Sequence, residues 1–248
     1  MDSQTVAVRQ EAEIAHREGE HPHYLRHHFE TPEQQKEAAS FGMWLFLLTE
    51  IMFFGGLFMA YLLYRNWYYD AFVSASNTIG IGLGTTNTAV LIVSSFTMAM
   101  GVYCAEKRNR RGLLLSLALT FVLGLVFLGI KSDEYYQKYV EHHIPGANFS
   151  IDDFVHPKDA RDVPLPPDVA QHAQIFFFLY FAMTGMHALH MIVGCSILIF
   201  LFYKAWHGLY TTGHTAPIDN FGLYWHFVDI VWIFLFPLFY LISRHPLH

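Results

Sequence analysis

Residues 221–243 read FGLYWHFVDIVWIFLFPLFYLIS. The run is long and apolar enough to cross a bilayer as a helix, which takes about 20 residues for a ~30 Å hydrocarbon core. It also carries His226 and Asp229, bracketed by Trp225 and Trp232. Polar groups in hydrocarbon are costly unless something inside the protein satisfies them. If this stretch is a span, other spans must therefore surround it.

The rest of the chain supplies them. Of its 248 residues 53% are hydrophobic and only 15% charged, where a soluble domain carries about a quarter. The charges gather in the first 40 residues, near 106–111 and over 131–171, and apolar runs fill the intervals. Five runs qualify as spans: about Ser40–Tyr64, Ile79–Tyr103, Gly112–Ile130, Ala173–Tyr203 and Phe221–Ser243. Helices are expected, because open strand edges would leave backbone groups unpaired in lipid and the alternation of barrel strands is missing. The fold class read from the sequence is all-α, a polytopic membrane protein of five transmembrane helices.

The turn AEKRNRRG after the second run holds Lys107, Arg108, Arg110 and Arg111, against only Arg65 after the first. The positive-inside rule then makes the N-terminus cytoplasmic and leaves the C-terminus outside. On this reading residues 1–39 are a cytoplasmic segment without the apolar core of a signal peptide. Residues 40–248 form the membrane domain, with a long outer loop at about 131–171, rich in Pro, Gly and Asp and long enough to cover a partner. His16, His21, His23, His27 and His28 crowd the N-terminal segment, but no spacing there matches a structural zinc motif. Cys104 and Cys195 read as buried small hydrophobes. No basic stripe points to nucleic acid.

Several polar residues fall inside the runs. Glu50 lies in the first, at a site where a charged group costs about 2.5–3.5 kcal/mol on insertion scales. Gly55 and Gly56 follow it and allow close helix approach. In the fourth run His187 and His190 stand three apart and share a helix face, with Thr184 and Gly194 on roughly the same side. In the fifth, Trp225, Asp229 and Trp232 form one stripe, and a Trp–Asp or His226–Asp229 hydrogen bond satisfies both partners. Glu134 and Tyr135, in the SDEYYQKY stretch, fall at the outer interface, where aromatic belts occur. The set fits a metal site, an ion or proton relay, or an interhelical network that fixes the bundle. Spacing leans to the last and leaves all three open; the paired ExxH pattern of di-iron bundles is missing.

These residues resemble subunit III of the haem–copper respiratory oxidases. The resemblance covers about residues 38–243 and runs in the family's order: GMWLFLLTEIMFFGGLF (42–58), NTAVLIVSSFTMAMG (87–101), SDEYYQKY (132–139), GMHALHMIVG (185–194) and YWHFVDIVW (224–232). It implies a subunit without haem or copper of its own, those cofactors residing in partner subunits. It implies packing on subunit I as the main contact, with subunit II and small subunits as further partners. It also implies a V-shaped cleft that holds phospholipid, and a role in sustaining proton uptake and protecting subunit I during turnover. The intramembrane polar residues carried over are Glu50, His187, His190, Trp225, His226 and Asp229. Lys204 and Glu50 are the lipid contacts, and Glu134 and Trp232 the interface residues.

The resemblance has departures. The mitochondrial form has seven spans, whereas several bacterial members have only the last five, which fits a bacterial plasma membrane. Lys204 stands where the mitochondrial form has a headgroup-binding arginine, keeping the charge without the bidentate fork. Glu50, Asn87–Thr88 and SDEYY lean toward the cytochrome c oxidases. Quinol oxidases and the accessory subunit of nitric oxide reductases are the alternatives, and a free-standing ion or proton transporter stands further off.

Overall fold

The computed structural model describes residues 29, 31–146, 149–157, 163–212 and 215–242. The N-terminal histidines therefore lie outside the described residues. The chain divides into two units, 1–42 and 43–248. Helix α1 (Pro32–Trp67) begins within the first unit, after Thr31, whose hydroxyl caps the Gln34 N–H at 3.2 Å, with Pro32 at the first helical position, and its residues from 43 on belong to the second.

In the second unit a short helix α2 (Tyr69–Asn77) follows α1. Then come α3 (Ile81–Glu106), α4 (Arg110–Val140), two single-turn helices α5 (Asp152–Val155) and α6 (Pro167–Ala170), α7 (Ala173–Trp206), a 3-10 turn (Leu209–Thr212) and α8 (Ala216–Tyr240). Among the described residues there is no strand. Five stretches have the length and apolarity of a membrane span: α1, α3, α4, α6 together with α7, and α8. The all-α, five-span reading is what the structure shows. Helices α3, α4, α7 and α8 form a ring of neighbours, α3 and α7 each packing on both α4 and α8. The apolar window of α8 is 50% buried and that of α1 only 17%, so α8 lies in the bundle and α1 flanks it.

Local chemistry fixes the ends. Asn109 caps α4 by accepting from the Gly112 N–H at 3.2 Å. A Cβ at Gly112 would stand 2.6 Å from Cys104 Sγ, so only glycine permits this tight turn. Arg110 donates to the Trp206 carbonyl, placing the end of α7 beside the same turn. The last carbonyls of α8 have no helical partner. Tyr61 donates to the Leu238 carbonyl at 2.5 Å, and Ser76 to that of Phe239 at 2.7 Å.

One expected boundary moves. Helix α4 continues to Val140, ten residues past the expected end at Ile130 and into the expected loop. Lys131, Glu134 and Lys138 recur along one face and are 3%, 1% and 3% exposed. Buried partners let these charges extend the helix instead of ending it. The glycine expectation also changes: a Cβ at Gly55 or Gly56 would meet nothing within 4 Å, so neither brings two helices together here.

Described residues of the connection after α4 pack on their own chain. His143 is fully buried, with ring contacts to Phe149, Phe154 and Phe177. Glu141 lies 3.2 Å and Asp153 3.4 Å from its nitrogens. Burial, and then the Lys138 charge, hold His143 below its usual value of 6.5, with Glu141 and Asp153 opposing. The folded segment therefore binds fewer protons than the unfolded one. Its stability is complete above the unfolded value and declines as pH falls below that toward the lower folded one. The protection of the Phe154 and Val155 amides, measured as exchange relative to the intrinsic rate at each pH, should fall between about pH 7.5 and about pH 5, within the window set by the usual histidine value, and His143→Gln should flatten the change. Protection insensitive to pH in the unmodified chain would contradict this account.

Candidate functional site: a polar seam between the spans

The stripe on α8 faces α3. Trp225 Nε1 donates to Ser94 Oγ at 3.1 Å, and Trp232 Nε1 donates to Thr88 Oγ1 at 3.1 Å. His226 Nδ1 meets Ser95 Oγ at 2.7 Å. The expected Trp–Asp and His226–Asp229 bonds are not made. The stripe points at hydroxyls on a facing helix, and these take the donors. Gly124 and Gly194 form the slot for the fully buried Trp225, since a Cβ there would stand 3.1 Å and 2.9 Å from the indole.

His187 and His190 part company. Their spacing leaves about 60° between them around the helix, enough to send each ring to different neighbours. His187 is 1% exposed and packs against Phe127 and Trp232, with centroids 5.4 Å and 5.2 Å away. His190 turns to α1, where its Nε2 is 3.1 Å from Glu50 Oε2, while its Nδ1 is 2.8 Å from the Met186 carbonyl. A carbonyl only accepts, so Nδ1 carries the hydrogen. The Nε2–Glu50 contact then needs one more proton, on either the ring or the carboxyl. The Glu50–His190 pair is thus built to hold a shared proton.

A second cluster was only half visible in the sequence. Lys131 donates to Glu134 Oε2 at 2.9 Å, Tyr180 Oη at 3.1 Å and Tyr240 Oη at 2.9 Å. Both tyrosines donate to Glu134 Oε1, at 2.8 Å and 2.6 Å. The ammonium uses its three donors and the carboxylate both oxygens. Glu134 and Trp232, expected at an interface, are instead enclosed by the chain at 1% and 0% exposure. The missed members are Lys131, Tyr180 and Tyr240. The Lys131–Glu134 spacing of three was the available signal, but the tyrosines come from α7 and α8 and no local pattern links them. Tyr135, beside Glu134, is 2.6 Å from Thr184 Oγ1.

Two grooves run along α1. One, of about 430 Å³, is lined by Glu50, His190, Tyr224, Ile197 and Phe200 among others. The other, of about 540 Å³, is almost wholly apolar and includes Leu47, Phe54, Gly55, Phe227 and Phe234. Lys204 lies one turn beyond Phe200, its ammonium 4.3 Å from that ring's centroid. Among the described residues no three His, Cys, Asp or Glu side chains converge as metal ligands.

This architecture defines a five-span helical membrane protein whose intramembrane polar side chains largely serve one another across helix contacts. The family model for cytochrome c oxidase subunit III matches residues 22–156 and 170–244, and the chain belongs to that family. Among similar proteins, cytochrome c oxidase subunit 3 of Thermostichus vulcanus is 28% identical over 204 residues, 82% of this chain and 87% of that protein. The subunit 3 of Balaenoptera musculus is 28% identical over 227 residues, 86% of this chain and 72% of the relative. Membership of the family implies a complex with other oxidase subunits.

Proposed function

We propose that this chain is the non-catalytic third subunit of a proton-pumping haem–copper cytochrome c oxidase in aerobic electron transport. It sits in a bacterial plasma membrane with its N-terminus cytoplasmic. It packs mainly on subunit I, with subunit II and small subunits as further neighbours, and the haem and copper belong to those partners. Its work is to hold phospholipid, sustain proton uptake and prolong the working life of subunit I.

The observation that carries this reading is the 430 Å³ groove beside α1. Its volume falls within the range of ligand pockets, its walls are apolar, and the Lys204 ammonium stands one turn past Phe200 at its margin. An acyl chain fits the walls and a phosphate the ammonium. The cytochrome c branch is favoured by the relatives, which are named as cytochrome c oxidase subunits.

Purification from native membranes should recover this chain with haem a and copper, and an oxidase that purifies without it would sink the reading. Removing it should leave initial oxygen reduction intact and shorten the catalytic lifetime. Lys204→Ala should lower retained anionic phospholipid roughly fivefold, in line with about 1 kcal/mol per basic residue near a membrane surface. Lys204→Arg should retain it, and unchanged lipid in Lys204→Ala would remove Lys204 from the site. Glu50→Gln still offers His190 an amide donor, so assembly and proton uptake should both persist. Slowed uptake in a fully assembled complex would give Glu50 a direct part in proton entry.

A further inference from the structure

Asp229 is unlike the other polar groups of the seam. It is 3% exposed, and neither carboxyl oxygen has a hydrogen-bond partner among the described residues. Ser95 lies beside the carboxyl, and its single O–H can serve only one of His226, 2.7 Å away, and the carboxyl. An ionised carboxyl therefore keeps at least one oxygen in need of a donor. Ser95, His226 and Asp229 all line a groove of about 380 Å³ between α3 and α8. The residues around them are outward-facing and apolar: Ile92 is 54% exposed, Phe96 66%, Ile230 50% and Ile233 47%.

Depth decides what fills this groove. Asp229 lies near the middle of the 25-residue α8, roughly 17–20 Å from either end at 1.5 Å per residue. A lipid headgroup does not reach that depth in a ~30 Å core, and acyl chains bring no donor. A side chain on another transmembrane helix does both. Ser95 and Ala99, one turn apart on α3, are both small and both line the groove, the pattern that lets a second helix approach closely.

We propose that the α3–α8 groove is a docking surface for a transmembrane helix of another oxidase subunit, one that presents a hydrogen-bond donor (hydroxyl, amide, indole or amine) to Asp229. The apolar rim packs against that helix, and the Asp229 oxygen is its polar anchor. The surface rests on the chain working within an oxidase complex, and the experiment separates the two claims.

A photoreactive diazirine residue is placed at Ile92 or at Ile233 in the full chain, and the complex is irradiated after assembly in native membranes. Both positions are exposed, so neither substitution disturbs the fold. Adducts should map by mass spectrometry to a transmembrane peptide of another oxidase subunit. Adducts to lipid alone, in a chain that still co-purifies with the oxidase, overturn the docking surface and leave the complex intact. A chain that does not co-purify overturns both.

As a second readout, Asp229→Leu should lower retention of this subunit in a detergent titration of the complex about threefold, the average scale of one interhelical hydrogen bond in lipid. Asp229→Asn keeps a carbonyl acceptor and should be retained like the unmodified chain. Equal retention of Asp229→Leu would remove the carboxyl as the anchor.

Discussion

Glu134→Leu is expected to destabilise the bundle by about 3–5 kcal/mol, the scale for removing one partner of a buried ion pair. The Lys131 ammonium would keep only the Tyr180 and Tyr240 hydroxyls, at 3.1 Å and 2.9 Å, and the aromatic faces of Trp232 and its neighbours. Both tyrosines would also lose their acceptor, Glu134 Oε1. The double variant Lys131→Met, Glu134→Leu should recover part of the loss, because it removes the stranded ammonium while the two tyrosine hydroxyls still lack Glu134. Cys104 and Cys195 are free and buried, so a thiol-reactive dye added during heating reports the unfolding directly. If Glu134→Leu unfolds no earlier than the double variant, the network is not what holds α4, α7 and α8 together at that level.

That network also marks where reading the sequence stops. The spans were legible because a bilayer imposes a length and a hydropathy that few other contexts demand. The end of α4 was not, because Lys131, Glu134 and Lys138 are polar by composition and buried by position. Hydropathy counts them as loop; only Tyr180 and Tyr240, distant in sequence, turn them into interior. The same limit governs the site. Glu50 and His190 were each visible as costly intramembrane groups, but their pairing at 3.1 Å joins α1 to α7 and follows from no spacing within either helix. His187 and His190 show the converse, a local spacing that implied company and conceals two separate environments.

The proton count at Glu50 and His190 connects this geometry to function. The pair lies beside an apolar groove that Tyr224, Glu50 and His190 all line. Under the proposed lipid occupancy, water is excluded from these groups and their mutual attraction strengthens through the lower local dielectric.

Trp225→Ala should be the most damaging single change in the α8 stripe. Truncating a buried tryptophan costs about 3–5 kcal/mol in soluble cores, and the lower end is expected here, because lipid solvates apolar side chains and the loss falls mainly on packing contacts. The indole fills a slot that Gly124 and Gly194 leave open, with closest approaches to a Cβ there of 3.1 Å and 2.9 Å. With no side chains on those glycines to collapse inward, alanine leaves a true void between α4, α7 and α8. Ser94→Ala separates bonding from packing: it leaves the ring in place and removes only the 3.1 Å bond from Nε1 to Ser94 Oγ, a loss of about 0.6 kcal/mol by the average for such bonds. Trp225→Phe loses that bond and also withdraws part of the ring from the slot, so it should fall between Ser94→Ala and Trp225→Ala in the heating assay. If Ser94→Ala proves as unstable as Trp225→Ala, the bond from the indole N–H, and not the volume of the ring, is what holds this contact.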